Sequence, residues 1–451
     1  MLLKSAPGPS DRELLTKIGA IQNDPLSFLV DLAQQYGGVA SFHVFRLPVI
    51  VLSSAEGVKH VLQDQNASYS KNTIQYNALK SITGKGLLTN DGEDWLRQRR
   101  LAQPAFARPR VLALDQIVVP AVQAMLERWA PSLRAQTALD IDREMMQLTL
   151  EIVGKALFSI DLSGEAHALT GAVLTTLDHI VYRARNMVTH PAFLPTPRNL
   201  RFHRALATLD RAVYNMIAQR QQASDPGSDL LGMLLAARDP ETGQAMSNHQ
   251  VRDELMTMLV AGHETVASAL TWTWLLLAQN PAARAQMDAE IEQVLQNRPP
   301  SAADLAALPY TAAVFSEALR LYPPAWLITR QALAEDSVEG WRIPKGALVI
   351  LSPYTVHRQA NTWPDSEAFK PERFLEKEPP GAPGLKRFAY IPFGAGPRIC
   401  IGNQFAQVEG QLILATVAQR CHLELTAPQP RTDALVTLRP HGGLPMRVKP
   451  R

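Results

Sequence analysis

Cysteine is almost absent from this chain: 451 residues hold only Cys400 and Cys421. Two thiols in so long a chain make no disulfide framework, and they fit a reducing compartment. An excess of one charge is missing too. The 45 Lys and Arg are balanced by 42 Asp and Glu, for a net charge of +3. With no basic run of useful length, this argues against nucleic acid as a partner. Residues Met1 to Pro9 contain no apolar stretch long enough for a signal peptide or an anchor. The one membrane-like segment is internal, Leu255 to Ala278, and His263 and Glu264 interrupt it. A carboxylate at mid-bilayer is costly, so a buried core helix is the better reading and a cytoplasmic protein with no membrane anchor is expected. Linkers and repeats are also missing. The Pro/Gly-rich stretches Pro191–Pro197, Ser224–Gly227, Pro299-Pro300 and Pro379–Pro397 punctuate one domain rather than divide several.

What is present describes a large globular protein. Apolar residues make up 46% and charged residues 19%, enough to bury a core and still enclose a small molecule. Val39 to Phe45 and Val49 to Leu52 read as a hairpin around Leu47-Pro48, and Ser53 with Glu56 reads as a capping box opening a helix. Helical patterns then dominate: Trp95–Leu101, Val118–Trp129, Arg143–Phe158 and Arg204–Gln222. The longest runs from about Asn248 to Asn280, with Ser247 and Gln250 as a capping box and Pro281 as its stop. Ala282–Gln296 and Thr311–Leu321 follow, then strand-like alternation from Leu327 to Ile350 and a last helix at Gln404–Arg420. The fold class is mainly α with a small β portion.

The run Phe393-Gly394-Ala395-Gly396-Pro397-Arg398-Ile399-Cys400-Ile401-Gly402 carries the strongest chemical signal. Small residues let backbone approach a sulfur and donate amide hydrogen bonds, and the positive end of the following helix favours a thiolate. Two plainer readings compete: a buried cysteine in a tight turn, and a phosphate-cradling loop built on Gly394-Ala395-Gly396. The second lacks the surrounding β-α-β unit and its remaining glycines. The pattern Phe-x-x-Gly-x-Arg-x-Cys-x-Gly, matched at Phe393, Gly396, Arg398, Cys400 and Gly402, resembles the haem-binding signature of the cytochrome P-450 family. The resemblance extends over nearly the whole chain. It implies that family's fold, with a long central helix over the haem, and a single catalytic domain spanning residues 1–451 without a fused reductase. It also implies a b-type haem, with Cys400 as the axial ligand of its iron. Thiolate ligation that pushes electron density towards O–O cleavage is a general property of the family.

Three further motifs carry the resemblance. Glu317 and Arg320 share one helix face; alone they read as a surface ion pair. With Arg373 of Pro371-Glu372-Arg373-Phe374 they resemble the family's Glu-x-x-Arg network, which implies a buried structural brace. Ala261-Gly262-His263-Glu264-Thr265 resembles the family's oxygen-binding groove. There Thr265, with its hydroxyl aimed at the Ala261 carbonyl and opening the helix, and Glu264 help deliver protons. Gly262 in mid-helix suggests that something approaches the backbone. A zinc His-Glu-x-x-His site is excluded by Ala267, leaving His263 as a packing or supporting residue. Trp95 and Arg99, one turn apart, offer an indole N–H and a guanidinium to a carboxylate. By resemblance they bind a haem propionate, with Pro104 and Phe106 downstream in the same pattern, and Arg330 and Arg398 match further propionate arginines. Arg398, and Glu264 before Thr265, resemble the fatty-acid-hydroxylating and microsomal-like branches.

These readings imply a monooxygenase that inserts one atom of O2 into a hydrophobic molecule such as a fatty acid, terpenoid or steroid. Electrons would come from a ferredoxin or flavodoxin with an NAD(P)H-dependent reductase, and the protein is expected to be a monomer. Segments Ile74–Ile82 and Leu255–Ala261, with Trp326-Leu327, are expected to line the pocket. Rivals are a peroxide-driven peroxygenase, which typically lacks the Glu264–Thr265 pair, a haem sensor or carrier without turnover, and a cysteine hydrolase, which needs a histidine base near Cys400.

Overall fold

The computed structural model describes residues 4–162, 164–185, 190–191, 193–225, 227–238, 243–375 and 386–451. Two compact units divide it. One comprises Met1–Gln75, Ala313–Asn403 and Thr432–Arg439; the other comprises Tyr76–Ala312, Gln404–Arg431 and Pro440–Arg451.

The first unit is organised by a five-stranded sheet in the order Val39–Val44, Leu47–Leu52, Leu348–Leu351, Ile328–Ala332, Tyr69–Ser70. Leu47–Leu52 runs antiparallel to the first strand and parallel to Leu348–Leu351, with Val49 opposite Leu348. Alternation sorts the side chains to two faces. Ile50, Leu52, Val349 and Leu351 pack with Val58, Leu62, Phe388, Ile391 and Ala395, beneath the cysteine loop. Val49 and Val51 face Leu26, Leu29 and Leu32 of the helix Pro25–Tyr36, together with Trp326. The hairpin turns at Phe45 (φ +56°), one pair earlier than Leu47-Pro48, and Pro48 lies within the strand. Ser54, not Ser53, caps the short helix Ala55–Lys59 by accepting from the Gly57 amide, and a π-helical turn, His60–Asp64, follows.

The second unit is helical around Asn248–Gln279. Ser247 and Gln250 exchange the two bonds of a capping box at 3.2 and 3.0 Å. Its 32 residues reach about 48 Å. The helices Ile141–Phe158 and Pro197–Gln222 pack against it, and Ala138–Asp140, Pro445–Pro450 and Cys421–Leu425 form a small sheet. The stretch Arg108–Ala135 is apolar and long enough to cross a bilayer, and its Val118, Val122, Met125 and Trp129, on one face, are buried. Helices Asp11–Asn23, Pro25–Tyr36, Ala166–Arg185 and Leu230–Ala236 add to those marked from sequence.

Candidate active site

In the first unit, the site rests on a buried ion pair. Glu317 and Arg320, on the helix Pro309–Leu321, are both fully buried. Arg320 Nε and Nη2 donate to the two Glu317 oxygens at 2.6 and 2.8 Å. The remaining donors reach the carbonyls of His357, Ser366 and Ala368 at 2.7–3.1 Å. All five guanidinium N–H groups are thus used, which lets an ion pair survive burial. Glu317 also accepts from the Lys370 amide at 3.0 Å. Arg373 is a looser third member than its motif implies. Its Nε lies 3.5 Å from Glu317 Oε1 without a hydrogen bond, while Nη2 donates to the Asp365 carbonyl.

His357 connects this pair to the cysteine loop. Its Nε2 accepts from the Ile391 amide at 2.8 Å, so Nδ1 carries the proton and donates to the Arg320 carbonyl at 3.1 Å. Burial and the Arg320 charge push its pKa down to about 3. The chain of amides continues from Gly394 to the Ile391 carbonyl and from Cys400 to the Phe393 carbonyl, at 3.0 and 2.9 Å. Gly394 and Gly396 take φ values of +71° and +68°, a region that favours glycine. At Gly396 a Cβ would also collide with the Leu62 carbonyl, so that glycine serves the loop's seating on the His60–Asp64 turn.

At the end of this supported loop Cys400 is exposed, with Phe393 and Arg398 half-buried before it and Gly402 after it. Cys421 is the opposite case: buried, its Sγ 3.6 Å from the Val417 carbonyl, with burial pushing its thiol up to about 12. Ile328 approaches Gly394, and Arg330 projects from the same face of that strand, two residues on. Arg330 is buried and donates to the Thr329 carbonyl at 2.8 Å. Trp326, expected in a pocket wall, is instead packed in the core, its Nε1 donating to the Leu435 carbonyl at 2.8 Å.

In the second unit, the long helix has a window. From Val251 to Leu277 every residue is buried except Ala261, Gly262 and Thr265, which share one face. Thr265 Oγ1 donates to the Ala261 carbonyl at 2.8 Å. That bond is not what distinguishes it, because Thr257, Thr271 and Thr273 make the same one to Asp253, Ala267 and Ala269. Exposure distinguishes it. Contrary to expectation the helix is unbroken α through these residues. Gly262 also has a packing reason: a Cβ there would lie 3.0 Å from Val153 Cγ2. His263 is fully buried, with Nδ1 2.6 Å from the Leu259 carbonyl, and Glu264 is buried beside the window. Trp95 and Arg99 lie half-buried on the helix Gly92–Ala102, and Phe106 meets Phe405 edge-on at 6.3 Å.

These donors fit a haem. In the first unit an exposed cysteine at the end of a braced loop suits an iron ligand and Arg330 and Arg398 suit carboxylates; in the second, the indole of Trp95 and the guanidinium of Arg99 suit carboxylates. The protein-family model described as Cytochrome P450 matches residues 7–445. The chain belongs to the cytochrome P450 family. This P450 is 38% identical over 422 residues to cyclooctatin synthase of Streptomyces melanosporofaciens, covering 92% of this chain and 90% of that one. It is 32% identical to pentalenene oxygenase of Streptomyces avermitilis, over 87% of this chain and 85% of the other. The crystal structure of CYP175A1 from Thermus thermophilus matches it with a TM-score of 0.80 at 32% identity, covering 98% of this chain and all of that one. The protein is therefore a haem-dependent monooxygenase that uses haem b and O2.

Proposed function

We propose that this P450 oxygenates a cyclic terpenoid, and that Cys400, as a thiolate, would ligate the iron of its haem while Trp95, Arg99, Arg330 and Arg398 would hold its propionates. The observation that carries the ligand assignment is the exposed Cys400 on a glycine loop tied through His357 to the Arg320–Glu317 pair. Relatives named for cyclooctatin, cyclooctat-9-en-7-ol and pentalenene support the substrate class. Bound haem supplies activation of O2 and transfer of one oxygen atom. The chain's part is to position and to move protons. Thr265 Oγ1, at the window in the buried stretch of the long helix, would pass a proton, with Glu264 next to it as the acid.

Electrons come, on this reading, from a separate ferredoxin or flavodoxin meeting a soluble, cytoplasmic, monomeric enzyme. The basic residues that would steer such a partner are Arg97, Arg100, Lys386 and Arg387: Arg100 and Arg387 are exposed, Arg97 is half-buried, and the side chain of Lys386 lies outside the described residues. The substrate class is tested by titrating the haem-loaded protein with a cyclic diterpene alcohol and, separately, with a long-chain fatty acid. A spin-state shift with the terpenoid is expected; a shift with the fatty acid alone would overturn the assignment. Product formed with peroxide, and none with NAD(P)H, reductase and ferredoxin or flavodoxin, would favour a peroxygenase instead.

A further inference from the structure

Residues 84–91, which lead into the Trp95 helix, lie against the long helix two turns before its window. Gly84 has φ +60°, and a Cβ there would run into the Asp253 carboxylate; one at Gly86 would strike the Thr257 hydroxyl. Consecutive carboxylates hold the segment. Asp253 Oδ2 accepts from the Lys85 amide at 2.8 Å and Glu254 Oε2 from the Leu87 amide at 3.0 Å. On its other side the segment is tied to the Trp95 helix, because Gln98 Nε2 donates to the Lys85 carbonyl at 2.7 Å and Asn90 Nδ2 to Gln98 Oε1 at 3.1 Å. Gln98 sits immediately before Arg99.

The two carboxylates differ in compensation. Asp253 faces Arg252 at 2.9 Å, itself bonded to Asp210 at 2.8 and 2.5 Å, and His249 lies 3.7 Å away. Among the described residues no cation acts on Glu254. Its second oxygen is buried with no hydrogen-bond partner among the described residues, and Asp253 is the charged group that acts on it. The Lys85 side chain is exposed.

We propose that Asp253 and Glu254 position the Trp95 helix through this segment as a latch, and that the Glu254 half is proton-sensitive, closing when protonated and loosening when ionised. Burial, reinforced by Asp253 and opposed by the Leu87 amide, holds the Glu254 carboxyl up at about 7. In an opened segment it returns to the ordinary carboxylate range, so the closed form binds the proton more tightly and opening releases it. The open population therefore rises about tenfold per pH unit until about pH 7 and is level above it. The latch stands whether or not Trp95 and Arg99 hold propionates; only its consequence for the haem rests on that reading.

Amide hydrogen exchange of the haem-loaded full chain reads the latch without turnover. After correction for intrinsic exchange, the protection factor at Leu87 is expected to fall about tenfold per pH unit from about pH 5 to 7 and then level off. In Glu254→Gln it is expected to be flat. Amides of Ile141–Phe158 report any global opening and should not follow. A Leu87 protection factor independent of pH in the wild type, one that keeps its slope in Glu254→Gln, or one shared with Ile141–Phe158 would each overturn the proposal. Should the variant not fold, a carboxyl carbon-13 titration of wild-type Glu254 decides: a midpoint near 7 supports the latch, and one in the ordinary carboxylate range ends it.

Discussion

Glu317 and Glu409 are both fully buried carboxyl groups, one below the cysteine loop and one on the helix Asn403–Ala418 that follows it. Glu317 is surrounded by Arg320, the Lys370 amide and, at 3.5 Å, Arg373. Glu409 has no hydrogen-bond partner on either oxygen among the described residues, and burial raises its pKa well above the carboxylate range. Equal depth thus gives opposite chemistry. The first is a carboxylate paired with Arg320 whose partners fix geometry; the second has no such partner among the described residues, and burial pushes it towards its protonated form. Every donor of Arg320 is used, and the network reaches the cysteine loop through His357.

Breaking that brace should have the largest effect. Arg320→Ala leaves Glu317 buried and uncompensated, and should cost about 3–5 kcal/mol in denaturant unfolding, with loss of haem retention; a cost below about 1 kcal/mol would erase the contrast with Glu409. His357→Leu removes the acceptor of the Ile391 amide and should cost about 1–3 kcal/mol. Because His357 is held at about 3 instead of 6.5, the unfolded chain takes up its proton first as pH falls. Wild-type stability should therefore decline from about pH 6.5 downward, and His357→Leu should lack that component.

Glu409→Gln should act with the opposite sign. The folded state holds that proton more tightly than the unfolded chain, so the group's contribution is greatest at low pH and declines as pH rises. The variant should gain on the wild type as pH increases; a loss at every pH would mean that Glu409 has a partner after all. Thr265→Ala and Thr271→Ala each remove the same intrahelical bond and should cost about 1 kcal/mol or less. Only the first should divert NAD(P)H to peroxide, since only Thr265 lies at the window. Equal coupling in the two variants would leave Thr265 as a packing residue. The smallest effect on stability belongs to Arg100→Glu, within about 0.5 kcal/mol. It should nonetheless slow reduction by ferredoxin or flavodoxin, and salt should slow the wild type as the Debye length shortens from about 10 Å at 0.1 M to about 3 Å at 1 M. Salt-independent reduction would remove this surface as the electron entry.

The long helix was legible because its signals are local: a capping box at Ser247, a stop at Pro281 and apolar residues between. The cysteine loop was legible because three glycines and one cysteine concentrate in ten residues. The helices Asp11–Asn23 and Pro25–Tyr36 had signals that were available, a Ser10–Glu13 capping box and Asp24 before Pro25, but their apolar faces are short. Ala166–Arg185 is interrupted by threonines, which weaken a helical pattern. His357 and the Asp253–Glu254 latch were not legible. Their partners are backbone groups brought close by folding, from 34 residues away for Ile391 and 167 for Leu87. Sequence can show a side chain's chemistry, but not which amide the fold will place against it.

The central claim is that the exposed, braced cysteine is the iron ligand and the buried one is not. The reduced carbon-monoxide difference spectrum of Cys400→Ser and Cys421→Ser, each reconstituted with haem, tests it most directly. Cys400→Ser should lose the thiolate-type band, because a hydroxyl does not donate electron density as a thiolate does, while Cys421→Ser should keep it. A Cys400→Ser protein that still absorbs at the wild-type position would contradict the assignment.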